Sequence, residues 1–134
     1  MPQLITRDHN EITDLSWIET IWQQPVQRLF WMYDVPPPSS RGGHHHQTCR
    51  MVLHCLVGAV DVYVQTPEGD CTYTLNSRNQ YLFLEAKDWR LMRQFSVDAV
   101  LIVLADKSFE TTVYIDQPYH FINSASQGEL VSRR

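Results

Sequence analysis

Residues 41–58 read RGGHHHQTCRMVLHCLVG, and the way their histidines are spaced decides what the rest of the chain has to build. In an extended segment alternate side chains share a face, so His44 and His46 point one way and His45 the other. The same parity carried through Thr48, Arg50, Val52 and His54 collects polar groups on one face, and it turns Cys49 away from His46. Residues 51–57 are mostly apolar and end at Gly58, as a buried strand does. A barrel with the polar face inward has a polar mouth, and an H-x-H pair in such a mouth has two natural uses: metal ligation and proton transfer.

Working outward from this stretch, the punctuation is that of an all-β protein. Residues 26–33 (VQRLFWMY) are rich in aromatic and β-branched side chains and are stopped by Pro36-Pro37-Pro38. A polar loop, SSRGG, then delivers the histidines. Residues 60–65 partly alternate, 67–70 (PEGD) make a hairpin turn with Gly69 in the positive-φ position, and 71–75 return. Further strands are expected over 81–85, 89–95 and 98–104. Only 14–23 has helical potential, with Asp14 as its cap and Ile18, Ile21 and Trp22 on one face. The tail after Phe121 is polar and is expected to fray. Short strands at this spacing favour a sandwich or a barrel over α/β. A jelly-roll barrel is the member of that group with a lumen able to host a polar site.

The composition narrows the function classes. The 134 residues suit one domain, with its core over 26–121, and the 43% hydrophobic and 19% charged fractions are ordinary for a globular chain. A net charge of −4 argues against a nucleic-acid binder. No apolar run reaches spanning length, the longest being 99–105, so no membrane partner is expected, and MPQLITRDHNEI has no signal-peptide pattern. Three cysteines without C-x-x-C spacing (Cys49, Cys55, Cys71) read as reduced thiols of a cytoplasmic protein.

Three consecutive histidines inside a chain are fewer than a purification tag uses, and a solvated polar loop is the plain alternative to a site. A mononuclear metal centre needs about three protein ligands. In metal-binding cupins an H-x-H is followed by a Glu, and a later strand adds another His. Here the Glu position holds Arg50 or Met51, and Glu85-Ala86-Lys87-Asp88-Trp89-Arg90 contains no histidine, leaving Asp88 or His54 to improvise. Proton transfer needs less, because imidazole serves as base and then as acid near neutral pH. Two imidazoles on one strand face suit an isomerisation through an enediol. No serine or cysteine lies in a nucleophile motif.

These motifs, taken in order, resemble the cupin-fold nucleotide-sugar 3,4-ketoisomerases, the WxcM-like group acting on dTDP-4-keto-6-deoxyglucose. The pattern R-V-Y-Y-I-Y-D, then R-G-x-H-A-H, then an apolar strand ending in S-G, reads here Arg28-Leu29-Phe30-Trp31-Met32-Tyr33-Asp34, Arg41-Gly42-Gly43-His44-His45-His46 and Leu53-His54-Cys55-Leu56-Val57-Gly58. Thr74-Leu75-Asn76, Trp89-Arg90, Phe95-Ser96, residues 98–105 and Tyr114-Ile115 continue it, so that the likeness covers about 26–121. The resemblance implies a cupin-type jelly roll, catalysis by His44 and His46 with no metal and no cofactor, and a homodimer with exchanged N-terminal strands. It further implies deoxysugar or surface-polysaccharide synthesis and a nucleotide-sugar substrate whose diphosphate meets arginines. Arg28, Arg41 and Arg90 are the candidates, with Phe30 beside them, because guanidinium forks match phosphate oxygens.

The departures matter as well. The tyrosine pair of the pattern is Phe30-Trp31, which removes a hydroxyl near the histidines and favours a rival reading, a non-catalytic cupin that binds a nucleotide sugar or carbohydrate. Tyr81 stands for a Gly, Ala86 for a Pro, His45 for an Ala, Gln47 for a basic residue and Asp116 for an Arg. The N-terminal D-x-R-G-x-L survives only as Asp8-His9-Asn10-Glu11-Ile12.

Overall fold

In the computed structural model, which describes residues 2–7, 14–108 and 114–120, the elements run in the order β1 (Gln3–Thr6), α1 (Ser16–Trp22), β2 (Arg28–Tyr33), β3 (Arg41–His46), β4 (Met51–Val57), β5 (Val60–Thr66), β6 (Gly69–Leu75), β7 (Gln80–Leu84), β8 (Trp89–Arg93), β9 (Val100–Ala105) and β10 (Tyr114–Ile115). The pairing is nested. β5 pairs with β6, β4 with β7, β3 with β8 and β2 with β9, all antiparallel, so the chain is one long hairpin whose tip is the Pro67-Glu68 turn. Rolling that hairpin sends alternate strands to two facing sheets, ordered β1-β7-β4-β9-β2 and β10-β3-β8-β5-β6. This is the expected jelly roll, all-β with one short helix. Gly69 lies just outside the turn, opposite Thr66 as the first residue of β6.

Period-two alternation fills the space between the sheets. Met51, Leu53 and Cys55 of β4, Leu82 and Leu84 of β7, and Leu101, Val103 and Ala105 of β9 face Val60, Val62, Val64, Leu75 and Met92 of the other sheet. A second, smaller core lies outside the first sheet, where α1 presses Ile18 and Trp22 onto Val52, Tyr81, Phe83 and Leu104. Trp17 meets Tyr81 edge-on at 5.0 Å. Ile21, expected on this face, is exposed, because seven helical residues dock along the Ile18–Trp22 line and Ile21 falls off its side. Asp14 acts one residue early: its Oδ1 accepts from the Ser16 N–H (3.0 Å) and hydroxyl (2.6 Å), while Leu15 occupies the cap position.

The parity drawn through residues 44–54 does not survive. Residues 47–50 carry the chain from one sheet to the other and reset the alternation. Cys49 is therefore buried in the central core, and His54 faces outward beneath α1. There His54 stacks on Tyr81 (4.4 Å between centroids, 13° between planes), and its Nδ1 lies 3.1 Å from the Gln80 carbonyl oxygen. Arg41, Gly42 and Gly43, expected in a loop, open β3 itself. The strand expected over 89–95 ends at Arg93, since Gln94 takes a positive φ of 58°. The tail beyond 120 and Asp8–Ile12 lie outside the described residues. None of the three cysteines is in a disulfide.

The two cores are tied together at the 47–50 turn. Arg50 Nε donates to Asp106 Oδ2 (2.8 Å), its backbone N–H donates to Asp106 Oδ1 (2.8 Å), and Nη2 donates to the carbonyl of Trp22, the last residue of α1 (2.8 Å). Asp106 is buried, so removing the guanidinium strands a carboxylate in the interior. Arg50→Ala is expected to lower unfolding stability by roughly 2–3 kcal/mol in urea titrations, because the backbone N–H still holds one oxygen.

Candidate active site

The site begins with two glycines. Gly42 pairs with Leu91 and His44 with Arg90, which leaves Gly43 as the extra residue of a β-bulge. Gly42 (φ 94°) and Gly43 (φ 77°) lie in the left-handed region, and a Cβ on Gly42 would stand 2.9 Å from the Arg90 carbonyl oxygen. R-G-G before the histidines is therefore what lets β3 press against β8 and turn His44 and His46 into the barrel. Both side chains are buried, with ring centroids 4.8 Å apart at 82°.

Across the lumen β2 supplies Arg28 and Phe30, opposite Ala105 and Val103, whose side chains line the core. The Arg28 guanidinium carbon lies 4.5 Å from the centre of the Phe30 ring. Trp31 points outward, so only Phe30 of the substituted aromatic pair packs against the central core. Arg41 stands at the far end of β3 from His46, opposite Met92, and its Nη1 donates to the Ser40 carbonyl oxygen (2.9 Å).

Arg90 comes from β8 and is 1% exposed. Its Nε donates to the Asp88 carbonyl (2.9 Å), Nη2 to the Glu85 carbonyl (3.1 Å) and Nη1 to Met51 Sδ (3.4 Å). The 85–88 turn that provides these carbonyls is closed by Asp88, whose Oδ2 accepts the Glu85 N–H at 2.7 Å and whose N–H reaches the Glu85 carbonyl at 3.1 Å. The same turn accepts the backbone N–H of His46 on the Ala86 carbonyl (2.8 Å). Asp88 is thus a turn-closing residue, and His54 lies on the far side of its sheet, so neither joins the histidine pair. Among the described residues no three His, Cys, Asp or Glu side chains converge on one point.

The electrostatics single out His46. Burial, then the Arg90 charge, then His44, Arg28 and His45 lower its pKa from 6.5 to about 2, so the ring stays neutral with a lone pair available. His45 faces outward, against the ring of Tyr119 at 5.0 Å and 30°. Burial and the Arg90 charge lower its pKa as well, partly offset by a backbone hydrogen bond. Of the residues expected from the sequence, the structure brings His44, His46, Arg28 and Arg90 together, with Phe30 under Arg28 and Arg41 apart at the start of β3; the 85–88 turn and Tyr119 were not among those expected. Backbone carbonyls leave no mark in a sequence, and the one signal was a turn-forming Asp two residues before an Arg.

Comparison with known proteins identifies the family and the fold. The sequence pattern of the family described as FdtA (WxcM-like, C-terminal) matches residues 3–126. The chain is 31% identical over 96 residues to a TDP-4-oxo-6-deoxy-alpha-D-glucose-3,4-oxoisomerase of Aneurinibacillus thermoaerophilus, covering 72% of this chain and 69% of that protein. Its structure superposes on a 3,4-ketoisomerase from Helicobacter canadensis with a TM-score of 0.76 and 27% identity, over 87% of this chain and 90% of that one. A sugar 3,4-ketoisomerase from Thermoanaerobacterium thermosaccharolyticum, solved with TDP, gives 0.73 and 26%, over 87% and 88%. With a family pattern spanning nearly the whole barrel and two histidines set inside it, the chain belongs to the FdtA, WxcM-like family.

Proposed function

We propose that this chain is a sugar-nucleotide 3,4-ketoisomerase that moves the keto group of a dTDP-4-keto-6-deoxyhexose from C4 to C3. The observation that carries the reading is the pair of buried imidazoles, His44 and His46, packed edge to face at 4.8 Å in a lumen flanked by Arg28 and Arg90. One imidazole takes the C3 proton. The C–H electron pair becomes the C3=C4 double bond while the C4 carbonyl oxygen gains a proton, giving the enediol. The C3 hydroxyl then gives up its proton as it becomes the new carbonyl, balancing the one taken by the C4 oxygen, C4 takes a proton from the second imidazole, and exchange with solvent returns both rings to their starting state. C3 is oxidised and C4 reduced within one molecule, so no external oxidant or reductant is needed.

The reaction proceeds without a metal, since Arg50 or Met51 stands at the glutamate position of metal-binding cupins and His54 faces away. Arg28 is the residue we assign to the diphosphate, with Arg41 at the other end of β3; Arg90 is committed to carbonyls and acts on the site through its charge. A diphosphate beside Arg28 offsets part of the positive field on His46 and makes that ring a better proton acceptor once substrate is seated. Phe30 leaves the sugar an apolar wall in place of a hydroxyl.

The chain is one domain that works as a homodimer. Leu29, Trp31 and Tyr33, which are 47%, 56% and 61% exposed, alternate along the outer face of the edge strand β2, and an apolar stripe of that kind suits a second copy. No described helix is long and apolar enough to cross a membrane. Reduced thiols and a nucleotide-activated substrate fit the cytoplasm and a role in deoxysugar and polysaccharide synthesis.

Three outcomes are expected. With dTDP-4-keto-6-deoxyglucose in deuterated buffer, NMR should show loss of the C3 proton signal; no exchange in wild type, or unchanged exchange in a His44→Ala, His46→Ala double variant, would sink the mechanism. His46 binds a proton near pH 6.5 when unfolded but only near pH 2 when folded, so stability falls as pH drops below 6.5, by up to about 1.4 kcal/mol per pH unit. His46→Gln should flatten that acid limb in unfolding titrations. Trp31→Glu should shift the mass measured by light scattering from dimer to monomer.

A further inference from the structure

The chemistry above leaves one cluster unused, an aromatic strap on the outside of the histidine sheet. Residues 114–120 pass along that face. Tyr114 and Ile115 pair with His46 and His45, and the Asp116 carbonyl accepts the Trp89 indole N–H (3.1 Å). The His120 backbone N–H donates to Gln65 Oε1 (2.9 Å), and its Nε2 lies 2.8 Å from the Thr66 carbonyl oxygen. Between these anchors the Tyr119 ring lies on His45, with its hydroxyl 3.5 Å from His45 Nδ1, and that hydroxyl donates to the Lys87 carbonyl at 2.5 Å.

All four carbonyls of the 85–88 turn are therefore engaged. Those of Glu85 and Asp88 hold the Arg90 guanidinium, that of Ala86 holds the His46 backbone, and that of Lys87 holds Tyr119. Three of these bonds tie the turn to the site, and the fourth braces it from outside. Asp88 closes the turn on itself but does not fix its angle to β3. The Tyr119 side chain touches both the turn, at Lys87, and β3, at His45.

We propose that Tyr119 is a positioning residue whose hydroxyl on Lys87 and ring on His45 lock the 85–88 turn to β3, holding His46 and Arg90 in a fixed relation inside the barrel. The activity arm of the test rests on the ketoisomerase reading, but a second arm does not. The charged and titratable groups around His46 are Arg90 from β8, Arg28 from β2, and His44 and His45 from β3, and Arg90 exerts the largest charge effect among them. If the brace is cut, Arg90 moves relative to the ring and the titration of His46 moves with it.

Histidine-ring NMR on the full chain, without substrate, follows this directly. In wild type His46 should stay neutral to below pH 5. In Tyr119→Phe, which keeps the stack and removes the hydroxyl, its midpoint should rise by at least about one pH unit, and kcat should fall about tenfold with KM within about twofold. His120→Ala cuts another anchor of the same strap and should leave both readouts unchanged. An unshifted His46 in Tyr119→Phe, or an equal shift in His120→Ala, overturns the proposal. A shifted titration in a chain without isomerase activity upholds the brace and refutes the function. If Tyr119→Phe does not fold, His45→Leu removes the stack and keeps the hydroxyl bond. Exchange of the His46 amide with D2O should then be at least about tenfold faster, and unchanged exchange overturns the proposal.

Discussion

A guanidinium shut away from water has to be surrounded by acceptors, and the site depends on how Arg90 meets that demand. Backbone carbonyls of a single turn accept from its Nε and Nη2, and its positive charge is felt by the neighbouring imidazoles. Because the acceptors belong to the main chain, the charge can be kept only where the turn keeps its shape. The closing hydrogen bonds of Asp88 and the close approach allowed by Gly42 therefore serve one electrostatic purpose.

The facing wall shows the same economy of polar groups. Phe30 puts a ring face under the Arg28 guanidinium where a tyrosine would have offered a hydroxyl. The ring's negative face still favours the cation, so Arg28 is held without a hydrogen-bond donor competing for the substrate. Trp31, the other half of the altered pair, lies on the outside of the barrel and is a matter of surface and not of chemistry.

Much of this was legible in the sequence, for reasons that can be traced residue by residue. Alternation in Val60-Asp61-Val62-Tyr63-Val64 and the turn at 67–70 identify β5 and β6, because local pattern and tertiary burial agree there. His44 and His46 share a face because they sit within one strand. The inference failed when the same parity was carried to Cys49 and His54, since a four-residue turn between sheets breaks the alternation and leaves no strong Gly or Pro signal in Gln47-Thr48-Cys49-Arg50. Ile21 was misplaced for a related reason: periodicity gives the apolar face of a helix but not the line along which a short helix docks. The brace through Tyr119 was out of reach, because it joins a hydroxyl to a carbonyl more than thirty positions away.

The nested pairing also governs how such a chain matures as it leaves the ribosome. Thr66 and Gly69 meet at the tip as soon as both are made, whereas Arg28 waits for Ala105. Of the four nested pairs, this outer one joins the residues farthest apart in sequence, and its closure costs the most loop entropy. The nascent chain therefore carries His44 and His46 for a long interval beside an open sheet edge, with the wall that bears Arg28 still unpaired. A partly synthesised barrel holds its histidines opposite an unpaired β2, and that wall is completed only with β9.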